Sequence, residues 1–180
     1  MLNAKGRRVQ LNDVVERIKA FYDANAHYDA PFQIVIGSDS QDFAYITKVV
    51  TVIAVICTGH GGIFFYDIKW DDTIYGIKKY YEGSVKKLAP SIVKIKLNIE
   101  TTRSIDQAQA LIDAMCAQDD CEALIEQMPV TIHIDAGHSK KGLTASMVNE
   151  LVGWVHAQGY PCCVKPDSFA ASTIADRISK

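Results

Sequence analysis

The chain has 180 residues, of which 48% are hydrophobic and 22% charged, and its formal net charge is −2. This balance is typical of a globular protein with a buried core and excludes a disordered chain. No apolar run approaches the roughly 20 residues that a membrane span requires, and the N-terminus lacks the apolar segment of a signal peptide, so we expect a cytoplasmic protein without a membrane partner. The five cysteines are an odd number, which favours buried thiols over a secreted disulfide framework.

The first predicted element is a helix over residues 12–25, where apolar residues recur on one stripe. Three strands follow, over residues 33–39, 43–57 and 63–70, and their short connections predict an antiparallel meander. The first strand ends on Asp39, in the stretch IGSDSQ. A turn residue is the plain interpretation of a lone aspartate at such a position.

The second half of the chain alternates helices and strands. Helical spacing returns over residues 73–88, although two glycines weaken it, and Pro90 suits the first turn of a long helix over residues 91–116. The remaining predicted elements are a strand that ends in Asp135, a helix over 143–157, a short strand over 160–166 and a terminal helix that opens at Asp167 or Ser168.

Together these elements predict an α/β fold with a mixed five-stranded sheet, in which a three-strand antiparallel meander and two parallel strands are flanked by helices. We expect one domain over residues 1–180. If the fourth strand pairs in parallel beside the first, Asp39 and Asp135 lie side by side at the switch point of the sheet. Their charges then repel, and a divalent cation is the simplest way to neutralise them.

Carboxylate oxygens select Mg²⁺ or Mn²⁺, and two such ions can activate a water molecule and stabilise the leaving oxygen in phosphodiester cleavage. Because such a centre needs further acids, we add Glu100 in the long helix and Asp176 in the terminal helix. The alternatives are a surface glutamate supported by Arg103 and a surface ion pair between Asp176 and Arg177.

The order of the acids along these elements resembles the ribonuclease H-like superfamily. More closely, the chain is similar to the YkuK type, a bacterial family of uncharacterised ribonuclease H-like proteins, over about residues 32–180, which leaves the N-terminal helix outside the likeness. The stretches that carry the resemblance are IGSDSQ, HIDAG, the GW at 153–154 and, most specifically, KPDSFAASTIADR at 165–177.

The resemblance implies a nuclease that depends on Mg²⁺ or Mn²⁺, with two ions and with nucleic acid as the partner, whether RNA, DNA or a hybrid. The implied metal ligands and catalytic acids are Asp39, Glu100, Asp135 and Asp176, with Asp167 as an alternative fourth ligand that a helix N-cap also explains. The oligomeric state stays open.

Several further side chains are candidates for the site. We interpret His138, in the loop after Asp135, as a proton shuttle, and Lys165 as a group that neutralises the scissile phosphate or is merely a surface lysine. His133 is more typical of a buried core histidine. Ser38 and Ser40 either bond Asp39 or form a turn.

Basic residues concentrate in one segment of the chain. Between residues 69 and 96 there are seven lysines against three acids, together with one tryptophan and three tyrosines, a mixture that can follow a phosphate backbone and stack on bases. A solvated helix face with core aromatics explains the segment equally well. From it we assign substrate binding to Lys78, Lys79, Lys86 and Lys87.

Two other functions stay open. The stretch DAGHSKKGLT at 135–144 resembles the phosphate loop of actin-like ATPases and sugar kinases, although those enzymes normally duplicate the domain. A non-catalytic binding or scaffold module on the same fold is the other alternative, and it agrees with the net negative charge.

Overall fold

A computed structural model of the chain describes residues 1–81, 83, 85–118, 121–137 and 145–180. A π-helical turn (Ala170–Ala175) and the short α-helix that follows it (Asp176–Ser179) are together called the terminal helical segment. The elements in chain order are β1 (Leu2–Asn3), α1 (Leu11–Asn25), β2 (Phe32–Asp42), β3 (Thr47–Cys57), β4 (Gly61–Asp71), α2 (Thr73–Tyr80), α3 (Val85–Cys116), α4 (Glu122–Gln127), β5 (Val130–Gly137), α5 (Ala145–Ala157), β6 (Cys162–Lys165), the π-helical turn and α6 (Asp176–Ser179).

The strands form one mixed sheet in the order β1-β4-β3-β2-β5-β6. The strands β2, β3 and β4 make the antiparallel meander, and β5 pairs in parallel with both β2 and β6. The predicted α/β architecture is therefore confirmed, with a sixth strand added where β1 pairs with β4. This strand has two residues, too few to produce the alternating pattern by which a sequence reveals a strand.

The sheet separates two cores. On one face Ile34 and Ile36 of β2 pack with apolar side chains of α1, α3 and α5. Because strand side chains alternate between faces, Val50 and Val52 of β3 belong to a smaller core on the other face, which the terminal helical segment covers. None of the helices in the described part of the chain has the length and apolar character needed to cross a membrane.

The long helix begins earlier than the sequence predicts. Since α3 starts at Val85, Pro90 lies inside the helix and not in its first turn. A proline in a helix interior costs about 3 kcal/mol. Leu88 and Ile92 are both buried against Ile74 of α2, and each such burial contributes about 1.5–3 kcal/mol, so packing on either side of Pro90 offsets its cost.

Both strands that carry the aspartates run past them, so the prediction that they end on Asp39 and Asp135 is wrong. The strand β2 stays paired with β3 as far as Asp42, whereas its parallel ladder with β5 ends at Gly37 and His133. The apolar pattern thus stops where pairing on one side stops, while the strand itself continues.

The end of the chain also departs from a regular helix. Residues 170–175 form π-helical turns, and only residues 176–179 are α-helical. Thr173 and Ile174 are β-branched and are weak helix formers. Upstream, α5 is described from Ala145 onwards, so the predicted helix start at 143 lies outside the described residues.

Candidate active site

Asp39 and Asp135 occupy equivalent positions on neighbouring parallel strands. The ladder pairs Ile34 with Val130 and ends with Gly37 opposite His133, and each aspartate follows two residues further along its strand. The pairing of β5 with β6 also shifts its register between Ile134 and Gly137. Asp135 therefore lies in an irregular stretch of β5, the kind of local disruption that re-aims a side chain beside a functional site.

Asp39 is half-buried and faces the terminal helical segment. The Ser179 hydroxyl donates a hydrogen bond to Asp39 Oδ2 over 2.5 Å. Burial raises the pKa of Asp39, the Ser179 hydrogen bond opposes this change, and the charges of Asp135 and Asp176 add to it. The carboxylates of Asp135 and Asp176 therefore both lie close enough to Asp39 to act on its charge.

Glu100 approaches the same region from α3, on the other face of the sheet. Its side chain is only 8% exposed, so the surface alternative is wrong. The Ser40 hydroxyl donates to Glu100 Oε1 over 2.5 Å, which also corrects the expectation that Ser40 bonds Asp39 or forms a turn. Burial raises the pKa of Glu100 to about 8; the Ser40 bond opposes the rise, and the negative charges of Asp39 and Asp135 add to it.

Hydroxyl groups fix α3 against β2 at this level. Ser38 Oγ lies 2.9 Å from Ser104 Oγ and 2.8 Å from Thr51 Oγ1. Consecutive residues of β2 point to opposite faces, so Ser38 and Ser40 contact α3 while Asp39 contacts α6. The rigid strand β2 thus holds Asp39 directly and Glu100 through a serine.

Asp135 is ion-paired with a lysine. Lys165 Nζ lies 2.7 Å from Asp135 Oδ1, with side-chain exposures of 49% and 15% respectively. The contact is not aligned as a hydrogen bond, and Oδ1 is shielded from solvent without a hydrogen-bond partner among the described residues. Lys165 therefore holds this oxygen by charge alone, without the hydrogen bonds that a buried carboxylate oxygen usually accepts.

Of the two candidates for the fourth acid, Asp176 lies nearer the other carboxylates. It is the first residue of α6, its charge raises the pKa of Asp39, and it forms an ion pair of 2.7 Å with Lys180 Nζ. Asp167 is exposed, and its charge acts on His133 and Cys163. Proximity therefore favours Asp176, while its role as a ligand stays a prediction.

The two histidine candidates have different outcomes. His133 is 3% exposed, and its ring meets the ring of Phe169 edge-on with centroids 4.9 Å apart. Burial lowers the pKa of His133 to about 4, so the ring is neutral at neutral pH, as expected of a buried histidine. His138 and residues 138–144 of the phosphate-loop candidate lie outside the described residues.

The lysines assigned to substrate occupy α2 and the start of α3. Lys78 Nζ lies 3.4 Å from Asp42 Oδ2, and Lys79 Nζ lies 5.4 Å from the ring centroid of Tyr80. Lys86 and Lys87 are exposed.

Sequence reasoning left out one lysine that the structure brings to the site. Lys96 Nζ lies 3.2 Å from the Ser40 carbonyl oxygen and 3.5 Å from Asp42 Oδ1, and its charge lowers the pKa of Glu100. The available signal was its spacing, because residues four apart lie on one helix face and Lys96 precedes Glu100 by four.

The donor set fits a hard divalent cation in its chemistry. It consists of carboxylate oxygens, among them those of Asp39 and Glu100, whose pKa values are raised mainly by burial and further by neighbouring carboxylates, and the shielded Asp135 Oδ1. As the side chains stand, no three His, Cys, Asp or Glu residues within the described ranges are arranged to hold one ion. Asp135 and Asp176 are engaged by lysines instead, so a metal ion held by these two acids would have to displace the lysines.

A family model described as ribonuclease H-like matches residues 13–180. The chain therefore belongs to the ribonuclease H-like family, as the resemblance of its motifs implies. It is similar to the uncharacterized protein YkuK of Bacillus subtilis (strain 168), with 27% identity over 184 residues that cover 99% of this chain and 95% of that protein. No solved structure matches the chain significantly.

Proposed function

We propose that this protein hydrolyses phosphodiester bonds in nucleic acid with Mg²⁺ or Mn²⁺ held by Asp39, Glu100, Asp135 and Asp176. The observation that carries the proposal is the equivalent position of Asp39 and Asp135 on adjacent parallel strands, with the buried carboxyl of Glu100 inside the field of both. The negative charges of neighbouring carboxylates repel one another, and a divalent cation bound between them attracts each of them.

Bound Mg²⁺ or Mn²⁺ supplies an activated water and neutralises charge at the phosphate. The chain's own residues supply rigidity and orientation. The ladder between β2 and β3 holds Asp39, the Ser179 and Ser40 hydroxyls orient Asp39 and Glu100, and the exposed lysines of α2 and α3 contact the phosphate backbone of the substrate.

Cleavage of a labelled panel of RNA and DNA single strands, duplexes and a hybrid, with Mg²⁺ and with Mn²⁺, tests this proposal. Asp39→Asn keeps the size of the side chain and removes its charge. Asp67→Asn is the matched control, since Asp67 is another strand aspartate with a lysine neighbour, Lys69, at 3.7 Å. We expect the native protein and the control to cut and Asp39→Asn to be inactive. Native activity in Asp39→Asn, or no cutting by the folded native protein, contradicts the proposal.

One observation favours a second candidate function, a non-catalytic binding module. The ammonium groups of Lys165 and Lys180 already neutralise two of the four acids. Calorimetric titration with Mn²⁺ separates the two functions. Binding that Asp39→Asn removes supports the metal-dependent enzyme, whereas a native protein that takes up no Mn²⁺ supports the module.

A further inference from the structure

Exposed aromatic side chains gather at one end of the sheet, beside the acids. Large exposed hydrophobic side chains number eight among the described residues, and five of them lie in the β2–β3 turn, at the end of β4 or at the end of α2. These five are Phe43, Tyr45, Trp70, Tyr80 and Tyr81. Such a concentration marks an interaction site, because single exposed apolar residues are normally scattered.

The rings are supported by the hairpin and by one another. The Phe43 and Trp70 rings have centroids 5.9 Å apart, and those of Tyr45 and Tyr75 lie 5.4 Å apart. Phe43 N–H donates to the Ile46 carbonyl oxygen over 2.8 Å, which closes the turn. We call Phe43, Tyr45, Trp70 and Tyr75 the aromatic surface. Phe43, Tyr45 and Trp70 remain open to solvent, with Tyr45 70% and Trp70 56% exposed, and Tyr75 is half-buried.

The aromatic surface is continuous with the acids through β2. Asp42, the last residue of that strand, follows Asp39 by three positions, or about 10 Å at about 3.3 Å per residue. Lys78 and Lys96 both approach Asp42, at 3.4 Å and 3.5 Å. Their ammonium groups therefore lie beside the last residue of β2, which comes between Asp39 and Phe43 along the chain, and they can contact phosphates of a strand that leaves the site.

Further exposed lysines lie on the elements that carry or adjoin the rings. Lys69 precedes Trp70, and its side chain is 58% exposed, while Lys79, Lys86 and Lys87 are exposed on α2 and α3. Lysines that follow a backbone and aromatic rings that stack on bases are the two elements of single-strand recognition. A duplex offers the phosphates but keeps its base faces stacked inside, so it satisfies only the lysines.

We propose that the aromatic surface stacks on unpaired bases, so that the ligand of this protein is single-stranded nucleic acid or a single-stranded segment of a larger one. The proposal rests on the proposed function only in naming this ligand as the substrate. Binding itself requires neither metal nor the acids.

The test measures binding in EDTA, where no cleavage occurs, by fluorescence anisotropy of labelled DNA and RNA 12-mers and of the matching duplexes. We expect single strands to bind more tightly than duplexes, and Trp70→Ala and Tyr45→Ala each to weaken single-strand binding about 5- to 100-fold. Trp154→Ala is the matched control, since Trp154 is an exposed tryptophan on α5, outside the aromatic surface. Equal affinity for duplex and single strand, or unchanged binding by both aromatic variants, overturns the proposal.

A second readout places the contact. The chain has two tryptophans, so Trp154→Phe leaves Trp70 as the only one, and stacking of an added single strand should quench its fluorescence. If Trp70→Ala does not fold, Tyr45→Ala at the exposed tip of the turn still tests the surface. Light scattering tests whether a second copy of the chain binds the aromatic surface instead. If the aromatic variants turn a dimer into a monomer and leave strand binding unchanged, the surface is a dimer interface and the proposal is overturned.

The outcomes separate this inference from the nuclease proposal. Asp39→Asn should keep single-strand binding, whereas Trp70→Ala should lose it. Single-strand binding by a native protein that cuts nothing supports the aromatic surface and contradicts the nuclease. Metal-dependent cutting with no preference for single strands in binding contradicts the aromatic surface alone.

Discussion

The four acids form two pairs that differ in how their charge is balanced. Asp39 and Glu100 accept hydrogen bonds from serine hydroxyls, and the pKa of each is raised. Asp135 and Asp176 contact lysine ammonium groups, at 2.7 Å in both cases. The first pair therefore lowers its electrostatic cost by favouring protonation, and the second by ion pairing.

This difference between the two pairs determines what a cation must displace when it binds to the site. At Glu100 it competes with a proton, because the pKa of about 8 keeps that carboxyl largely protonated at neutral pH. At Asp135 it competes with Lys165. Metal affinity should therefore rise with pH and should depend on Lys165.

The largest effect that separates the pairs is expected in catalysis. Asp39→Asn should lower kcat/KM for metal-dependent cleavage by about 10³-fold, at the upper end of what one charge-stabilising group contributes. Asp176→Asn should lower it by only about 10- to 100-fold, since the Asp176 side chain is 40% exposed and lies on the four-residue helix α6. Steady-state kinetics on the best substrate gives both values, and equal losses contradict a distinction between the pairs.

A second prediction concerns the stability of the metal-free protein against pH. Burial raises the pKa of Glu100 from its ordinary 4.5 to about 8, so the folded state retains a proton that the unfolded state has released. The free energy of unfolding should then fall as pH rises from 6.5 to 8, by up to about 2 kcal/mol. The raised pKa of Asp39 acts in the same direction. His133 acts in the opposite direction, below its ordinary pKa of 6.5 and down to about 4.

Urea unfolding in EDTA at several pH values measures this slope. Glu100→Gln keeps an acceptor for the Ser40 hydroxyl and has no titrating carboxyl, so its stability should change much less between pH 6.5 and 8. If the free energy of unfolding of Glu100→Gln falls with pH as steeply as that of the native protein, groups other than Glu100 cause the pH dependence.

A smaller effect is expected from the lysine beside Asp135. Lys165→Met removes the competing ammonium group, so Mn²⁺ should bind about two- to five-fold more tightly, a modest gain because Lys165 is half-exposed. Lys94→Met is the matched control, since Lys94 pairs with Glu150 at the same 2.7 Å on the protein surface. Weaker Mn²⁺ binding by Lys165→Met, measured by calorimetry, indicates that Lys165 supports the ion instead of competing with it.

The smallest effect is expected at Lys180. Its side chain is 66% exposed, and its partner Asp176 lies one helical turn away. Exposed pairs of this kind contribute little. Lys180→Met should leave the melting temperature unchanged within error and should alter Mn²⁺ affinity less than Lys165→Met does. If Lys180→Met changes the Mn²⁺ affinity more than Lys165→Met does, Lys180 and not Lys165 is the stronger competitor of the metal.

The alignment of Asp39 with Asp135 followed from the sequence for a physical reason. Both aspartates end apolar runs, and a helical crossover between strands favours parallel pairing. The ladder of β2 and β5 confirms the pairing on which that expectation depends. The apolar pattern of the strands and the rule for crossover connections both place the two aspartates side by side, so this alignment can be predicted from one sequence.

The environment of Glu100 was harder to predict. The buried stripe of α3 continues from Ala108 to Ser104, four residues earlier, and from Ser104 to Thr101 and Glu100, which precede it by three and four residues. Because this stripe includes three polar residues, a search for apolar periodicity alone shifts to Ile99, which is only half-buried. Extending the stripe backwards from its apolar part is the signal that would have found it.

The partners of the acids could not be predicted from local sequence. The Ser179 contact to Asp39 spans 140 positions in the chain, and Lys165 is separated from Asp135 by all of α5. The Ser179 contact depends on how the π-helical turn places the end of the chain on the sheet, and the Lys165 contact depends on where β6 ends beside β5. The strand period of two residues and the helix period of 3.6 residues do not predict these long-range contacts.

The position of Ser179 has a practical consequence for producing the protein. Its hydroxyl bonds Asp39, and Lys48 Nζ holds the Ile178 carbonyl oxygen at 2.5 Å, so Lys180 lies beside the acids. A polyhistidine tag fused after Lys180 would begin at this site, and its imidazoles would compete for the same Mn²⁺ or Mg²⁺. A tag fused before Met1 begins next to β1, which two strands, β4 and β3, separate from β2. Purification through that end leaves the carboxylates accessible for metal titrations.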